Sequence, residues 1–126
     1  MTKVTLGNGL VVGNFSSPHD FVFDTGEVLS GVDPETSRKL SLRRIENEVP
    51  STDGRYVNVE ISFAMTDSVY SALQNAEASE VDVIIVPLPV KTSLEADRRW
   101  KGFKKLRTCV LADRVTKTVC SSKFGR

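Results

Sequence analysis

Four residues near the end of the chain combine side chains that can hold a phosphate group. Asp113, Arg114, Thr116 and Lys117 supply a carboxylate, two cations and a hydroxyl within five positions. A guanidinium presents planar paired donors that match phosphate oxygens, so we expect Arg114 to bind phosphate. Asp113 would orient Arg114 or accept from a ribose or a base. The alternative is that the Asp-Arg pair only closes a β-turn, and both interpretations remain open.

A second candidate site is the segment 87–92, which follows an apolar run and precedes a predicted helix. Backbone amides at a helix N-terminus, together with the Lys91 ammonium and the Thr92 hydroxyl, suit a phosphate or a carboxylate. Pro87 and Leu88 would add a rigid apolar wall for a base or a ribose. In the simpler alternative, the prolines only end the strand and Thr92 only caps the helix.

The segment 98–107 interleaves six cations with the aromatic residues Trp100 and Phe103. Charge combined with aromatic stacking surfaces is typical of nucleic-acid grooves. However, the two aromatic residues are three positions apart, as core anchors at a helix end would be, and the net charge of +1 is small for a nucleic-acid binder. We therefore favour a solvated helix face, and we expect no duplex nucleic acid as a partner.

Patterns for catalysis and metal binding are sparse in this chain. His19 is the only histidine, and its place in the turn after Pro18 is more typical of a backbone-capping residue than of a general base. Cys109 and Cys120 are too few for a disulfide framework or a Cys/His zinc site. The sequence contains no glycine-rich phosphate loop that opens a helix. We therefore predict no catalytic residue, no metal and no cofactor.

Charge is distributed unevenly along the chain. Residues 91–126 hold 11 Lys and Arg against three acids, which is +8, whereas residues 1–90 hold six against 13, which is −7. This asymmetry favours an anionic partner for the basic part, or self-association of basic on acidic surfaces. The length of 126 residues predicts a single domain, 1–126. Because no apolar run approaches the roughly 20 residues of a membrane span, we expect a reduced, cytoplasmic protein with no membrane partner.

The N-terminal half is predicted to form mainly antiparallel β-hairpins. Gly7-Asn8-Gly9 and Thr25-Gly26 separate short apolar runs, and Asn-Gly favours the positive φ angles of tight hairpin turns. Asp33-Pro34 combines an N-cap residue with a proline at the first helical position, which predicts a short helix. Strands are expected over 42–49 and over 57–63, and strict alternation in the second predicts one buried and one solvated face.

The C-terminal half is predicted to form an α/β part, which makes the whole an α+β fold. Thr66 would cap its first helix, and Thr92 with Glu95 would form a capping box for the second. The central strand is apolar on both faces except at Asp82, which is typical of a buried strand. The tail after Cys120 is expected to fray. The predicted elements are a helix over 67–79, the central strand over 81–87, a helix over 93–101, and strands over 106–112 and 115–119.

Three segments of the chain match the layout of a known protein family. They are Asn14-Phe15-Ser16-Ser17-Pro18-His19, Val86-Pro87-Leu88-Pro89-Val90 and Ala112-Asp113-Arg114-Val115-Thr116-Lys117. In this order they resemble the small phage-encoded Thoeris antagonists, which are sponges that sequester the cyclic ADP-ribose signal of TIR-domain defence enzymes. The resemblance implies a non-enzymatic protein of the infected or lysogenic host cell, which blocks TIR-based Thoeris defence by binding its nucleotide signal.

The resemblance also implies an assembly and residue roles. Family members form dimers and hexamers, and they hold the nucleotide in pockets between subunits with arginines on its phosphates. Some also bind cyclic oligonucleotides. Arg114 and Thr116 are the positions that match the family pattern. A further basic residue of that pattern would fall near Val110, and Arg107 is the nearest arginine on its N-terminal side, so the chain departs from the pattern at the cyclic-oligonucleotide site.

Two other classes of function fit the same residues. A small inhibitor protein would use the basic stretch 98–107 to cover a host enzyme. A nucleotide hydrolase would use His19 and Asp20. A sponge predicts that an intact nucleotide accompanies the protein, an inhibitor predicts a bound host protein, and a hydrolase predicts turnover of a phosphodiester.

Overall fold

The computed structural model describes residues 1–96 and 101–126. Four short strands precede the first helix, and the later strands and helices do not follow a regular strand–helix–strand alternation, which is consistent with an α+β fold. The elements, in chain order, are β1 (Thr2–Thr5), β2 (Val11–Asn14), β3 (Phe21–Val22), β4 (Val28–Leu29), α1 (Pro34–Lys39), β5 (Arg43–Pro50), β6 (Val57–Ala64), α2 (Asp67–Glu77), β7 (Val83–Ile85), α3 (Leu88–Glu95), β8 (Leu106–Asp113) and β9 (Thr118–Gly125).

A five-stranded mixed sheet in the order β1-β2-β7-β8-β9 forms the centre of the fold. The two outer pairs, β1 with β2 and β8 with β9, are antiparallel. The two inner pairings are parallel, with Ile84 of β7 aligned to Gly13 of β2 on one side and to Leu106 of β8 on the other. The carboxyl ends of β2 and β7 therefore lie at the same edge of the sheet, and the end of β7 is beside the first residues of β8.

The predicted central strand is confirmed, and β7 is covered on both faces. On one face, Ile84 belongs to a core cluster that includes Leu73 of α2 and Leu94 of α3. On the other face, Ile85 belongs to a second cluster that includes Phe23 and Leu29 from the β3–β4 hairpin. Because apolar clusters pack on both of its faces, this strand supplies the rigid base from which the following segment, 86–88, leaves the sheet.

The local signals for the first two helices are confirmed. The Asp33 carboxylate accepts a hydrogen bond of 2.6 Å from the backbone N–H of Thr36 and caps α1. The Thr66 hydroxyl accepts one of 3.2 Å from the backbone N–H of Val69 and caps α2. Helix α2 ends at Glu77, two residues before the predicted end. No helix among the described residues is long and apolar enough to cross a membrane.

The prediction for the third helix is wrong at its start. Helix α3 runs from Leu88 to Glu95, with Pro87 as its N-cap residue, so Thr92 lies inside the helix and does not cap it. The prediction treated Pro89 as the end of the strand, but Pro89 lies in the first turn of α3. Backbone N–H groups in the first turn have no partner within the helix, so a proline is tolerated there. Of the predicted helix over 93–101, positions 97–100 lie outside the described residues.

The predicted strand over 57–63 is present, but the prediction that one face is buried is wrong. β6 pairs with β5 in a separate two-stranded sheet, and each residue from 57 to 63 is exposed. The carbonyl oxygen of Phe63 accepts a 3.2 Å hydrogen bond from the Ser93 hydroxyl, near the base of this hairpin. Beyond that base, the described part of the chain places nothing over either face.

The predicted fraying of the tail is also wrong, because β9 extends to Gly125. Cys109 pairs with Phe124 across β8 and β9, and Phe124 packs against the second core cluster. Burial of that aromatic ring offsets the entropy lost when the tail becomes ordered. The tail is thereby brought beside the first residues of β8.

Candidate functional site

A crevice opens at the carboxyl ends of β2 and β7, on either side of Pro87. This edge of a parallel sheet is where ligands of open α/β sheets bind, because the strand ends and the next helix leave a gap there. One side of Pro87 is a cavity of about 300 Å³ lined by Ser16, Ser17, Pro18, Ser37, Leu40, Ser41, Leu42, Phe63, Pro87, Pro89 and Val90. The other side is a cavity of about 220 Å³ lined by Ser17, Phe21, Ile85, Val86, Pro87, Leu88, Thr108 and Cys109.

The wall of the crevice after β2 is fixed by Asn14, whose side chain is 0% exposed. Its Nδ2 donates hydrogen bonds of 2.9 Å to the carbonyl oxygen of Ser17 and 3.1 Å to that of Ser30, and its Oδ1 accepts one of 3.0 Å from the Ser17 N–H. A Cβ at position 31 would collide with the carbonyl oxygen of Pro18, so Gly31 is the residue that lets the two segments approach. Ser17 is therefore held rigidly against both cavities.

The other wall is the N-terminus of α3. Pro87 caps the helix without a side-chain hydrogen bond and the first turn holds no acidic residue, so neither the cap nor the first turn neutralises the positive end of the helix dipole. Leu88 lines the smaller cavity and is 63% exposed. The structure thus places Pro87 and Leu88 where the sequence predicted an apolar wall.

Lys91 and Thr92 lie apart from the two cavities. Lys91 is only 6% exposed, and its Nζ forms an ion pair of 3.1 Å with Glu95 Oε1 one turn further along α3. Thr92 lines a neighbouring groove of about 440 Å³, which it shares with Phe63, Leu88 and other residues. Because the Lys91 charge is already paired, the structure does not place it as a ligand for a phosphate in the crevice.

Arg107 lines a separate basic pocket of about 500 Å³. The pocket is lined by Lys101, Phe103, Lys104, Arg107 and Arg126, and none of these described residues is acidic. The Glu77 carboxylate fixes one wall by accepting hydrogen bonds from the backbone N–H groups of Lys104 (2.8 Å) and Lys105 (3.2 Å). Four cations around one cavity favour an anion of more than one charge, such as a phosphate. We refer to this feature as the basic pocket.

The segment 113–117 forms the exposed turn between β8 and β9. Asp113 Oδ1 accepts hydrogen bonds from the backbone N–H groups of Val115 (2.8 Å) and Thr116 (3.3 Å), as the turn interpretation requires. The Thr116 hydroxyl is hydrogen-bonded to that of Thr118, and Lys117 adopts a φ of 58°. Asp113 is thus occupied in holding the turn, while the exposed Arg114 projects from it.

Within one chain, the residues predicted from the sequence do not come together at one site. Pro87 and Leu88 line the crevice, and Arg107 lines the basic pocket. Cys109 of β8 lines the smaller cavity, and Asp113 is four residues further along the strand, which corresponds to about 13 Å. The phosphate-binding residues proposed for the turn therefore do not meet the crevice inside a single copy.

Of the two residues that a hydrolase would use, Asp20 has a structural role in the described part of the chain. Asp20 Oδ1 accepts a hydrogen bond of 2.7 Å from the Gly31 N–H and holds the loop after β2. Burial raises the pKa of the Cys109 thiol to about 11, so Cys109 is a neutral thiol at pH 7 and a poor nucleophile. The described residues contain no group of three or more His, Cys, Asp and Glu side chains that could hold a metal ion.

Several lining residues were not predicted from the sequence. Phe63 lines the larger cavity, although the alternating sequence of β6 predicted that its apolar face is buried in the core. Arg126 lines the basic pocket, although the tail was expected to fray. Ser17 had a usable signal, because a Ser-Pro pair after an apolar strand marks a loop at the strand's carboxyl end. Neither Phe63 nor Arg126 carries a comparable local signal.

No protein-family model, no curated protein and no solved structure matches this chain. Its function is therefore inferred from the residues and from their geometry.

Proposed function

We propose that this protein binds and sequesters a small nucleotide of the cyclic ADP-ribose class and returns it unchanged. The observation that carries the proposal is the crevice, where two cavities flank Pro87 beside the uncapped N-terminus of α3. Apolar walls suit a base or a ribose, and the helix N-terminus favours a negatively charged group. Cyclic oligonucleotides share these chemical parts and are further candidate ligands.

Sequestration requires affinity rather than chemistry. A dissociation constant of about 1 nM corresponds to roughly 12 kcal/mol, and a rigid crevice helps because little conformational entropy is lost on binding. The buried Asn14 and the two-sided core around β7 supply that rigidity. The engaged Asp20 and the neutral Cys109 thiol support a role without catalysis.

The biological role that we propose follows from the resemblance of the three sequence segments. In the cytoplasm of an infected or lysogenic host cell, the protein would lower the concentration of the free signal below the level that activates TIR-based Thoeris defence. The resemblance places the ligand between subunits of a dimer or hexamer. The separation of about 13 Å along β8 between Cys109, in the crevice, and Asp113, at the turn, supports that arrangement, because a second copy could bring its own Arg114 to a crevice.

The crevice can be tested by a pair of charge-introducing variants. Leu88→Glu places a carboxylate at the exposed apolar wall, whereas Val28→Glu makes the same change at a similarly exposed residue on β4. We expect the first variant to lose roughly tenfold or more in affinity for cyclic ADP-ribose isomers by calorimetry, and the second to bind as the wild type does. Equal affinities for both variants would place the ligand elsewhere.

Contact with another protein is the second candidate function. The observation that favours it is the exposed apolar surface of β6. Of the basic stretch predicted to cover a host enzyme, Arg98, Arg99 and Trp100 lie outside the described residues, while Lys101, Lys104 and Arg107 line the basic pocket. If a host protein rather than a nucleotide copurifies in stoichiometric amount, this second function replaces the first.

A further inference from the structure

The β5–β6 hairpin has a row of apolar side chains on one face. Residues directly opposite each other in an antiparallel pair share a face, and the register pairs Arg44 with Phe63, Glu46 with Ile61, Glu48 with Val59 and Pro50 with Val57. We call the side formed by these eight residues the hairpin face. Its four apolar members from β6, Val57, Val59, Ile61 and Phe63, are 45–56% exposed.

We propose that the hairpin face is covered by the same face of a second copy of this chain. The proposed function already includes a dimer or hexamer; the inference adds the surface through which two copies meet, and it does not depend on the identity of the ligand. Its basis is the contradiction between the sequence of β6, which alternates as half-buried strands do, and the surroundings of β6, which bury neither face.

The stability of the hairpin also requires a covering partner. A two-stranded hairpin is at best marginally stable in water unless its apolar face packs on something. Within the described chain, β5 and β6 form a sheet of their own. Their hydrogen-bond link to α3, between Ser93 and Phe63, lies at the base of the hairpin, so the other apolar residues of the hairpin face remain open to solvent.

The size of the hairpin face fits an interface between two copies. At about half exposure, its four apolar side chains present about 350 Å² of surface, which is within the range of about 300–600 Å² for the largest apolar patch of a typical monomer, and such patches are often functional. The charged row on β5 and the neighbouring base of α3 enlarge the patch toward the ~800 Å² that each partner of a stable complex buries. The apolar row would form the buried centre and the charged row the rim.

The charges on the hairpin face fit the same face of a second copy. A two-fold axis that reverses the strand direction places β6 on β6 and β5 on β5, so apolar side chains meet apolar side chains. The same reversal brings Arg44 of one copy toward Glu48 of the other. The same axis sets Glu46 opposite Glu46 of the other copy, and the ion pair of 3.0 Å that each Glu46 forms with Arg44 of its own chain reduces the repulsion between them.

This arrangement would also change the crevice. Phe63 is the last apolar residue of the hairpin face, and it lines both the larger cavity and the neighbouring groove with Pro89. A second copy seated on the hairpin face would therefore close part of the open side of these cavities. That places an interface between copies next to the candidate ligand site.

The test compares Ile61→Glu with Asn58→Glu, a matched control on the opposite face of the same strand. We expect the wild type and Asn58→Glu to sediment at twice 13.9 kDa at micromolar concentrations, and Ile61→Glu to dissociate at least roughly tenfold more readily. Circular dichroism would confirm that both variants fold. Because the interface is mainly apolar, we expect the dimer to persist at about 1 M salt, where screening reduces the Debye length to about 3 Å.

Two results would overturn this inference. One is that the wild type is monomeric across micromolar concentrations. The inference is overturned even if that monomer binds a different protein. The other is equal weakening by Ile61→Glu and Asn58→Glu. Calorimetry with cyclic ADP-ribose isomers on the same samples separates the outcomes, because a dimer that binds no nucleotide contradicts the proposed function and leaves this inference intact.

Discussion

Arg107 and Arg126 line the same cavity from two neighbouring antiparallel strands. The register pairs Thr108 with Gly125, and Arg107 precedes the first of these while Arg126 follows the second, so the pairing brings the two arginines side by side. Like charges at such positions repel each other and destabilise the sheet. A bound anion would remove that repulsion. Binding of an anion in the basic pocket should therefore stabilise the folded protein.

Arg126→Ala should affect stability in opposite directions with and without an anion. Without one, the variant should melt at the same temperature as the wild type or slightly higher, because a like-charge contact is lost. With inorganic pyrophosphate present, the wild type should gain more stability than the variant, because each charge-assisted hydrogen bond contributes about 1.5–3 kcal/mol. Differential scanning fluorimetry measures the melting temperature with and without pyrophosphate. Arg55→Ala, in the β5–β6 turn, is the control for the loss of a positive charge outside the basic pocket. Equal stabilisation of all three proteins would exclude the basic pocket as an anion site.

Arg114→Ala should weaken nucleotide binding without loss of stability. The side chain is exposed on the turn that Asp113 holds, so its removal leaves the described packing unchanged. We expect affinity to fall by about 1.5–3 kcal/mol, or roughly tenfold to more than a hundredfold, while the melting temperature stays nearly constant. Arg114→Lys should not restore affinity fully, because an ammonium lacks the planar fork of donors. A variant that loses stability but keeps affinity would contradict this role.

Asn14→Ala should destabilise the protein strongly. The change leaves the Ser17 N–H and two backbone carbonyl groups without the partners that the buried amide now provides. We expect a loss of about 2–4 kcal/mol in the free energy of unfolding, measured by urea denaturation. Asn8→Ala is a suitable control, because that amide is exposed and its longer 3.4 Å bond to the Ser121 carbonyl oxygen is weaker. Similar losses for both variants would mean that Asn14 does not hold the crevice wall.

Because of Cys109, we expect the free energy of unfolding to fall as pH rises above about 9. Burial raises the pKa of its thiol from 9.0 to about 11 in the folded protein, so the unfolded chain releases this proton first. The stability contributed by Cys109 is therefore complete below about pH 9 and is lost as pH rises toward 11. Cys109→Ala should flatten the decline in the free energy of unfolding over this interval, whereas Cys120→Ala should not. An unchanged decline in Cys109→Ala would show that other groups cause it.

Sequence reasoning succeeded where the determining contacts are local. The caps at Asp33 and Thr66 satisfy backbone N–H groups three residues away, and such patterns are visible in a short window. The prediction for α3 failed because Pro87 and Pro89 are compatible both with the end of a strand and with the first turn of a helix. The local sequence does not decide between these alternatives, and in the structure the helix begins at Leu88.

The candidate site was less predictable because its residues meet through long-range pairing. Arg126 reaches Arg107 only through the β8–β9 register, and Phe63 reaches Pro89 only through the position of the hairpin on α3. The alternation in β6 correctly indicates an apolar face, but it does not say whether that face is buried within one chain or between two. The sequence therefore predicted the crevice residues Pro87 and Leu88 but not the residues that surround them.

The most direct measurement is the mass balance of the nucleotide. Purified protein would be incubated with each cyclic ADP-ribose isomer, the free nucleotide measured after filtration, and the bound fraction released by heat and identified by mass spectrometry. Sequestration predicts that one isomer is depleted from solution and recovered intact after denaturation. Conversion to linear ADP-ribose that His19→Ala abolishes, or no depletion of any isomer at protein concentrations well above the expected dissociation constant, would contradict it.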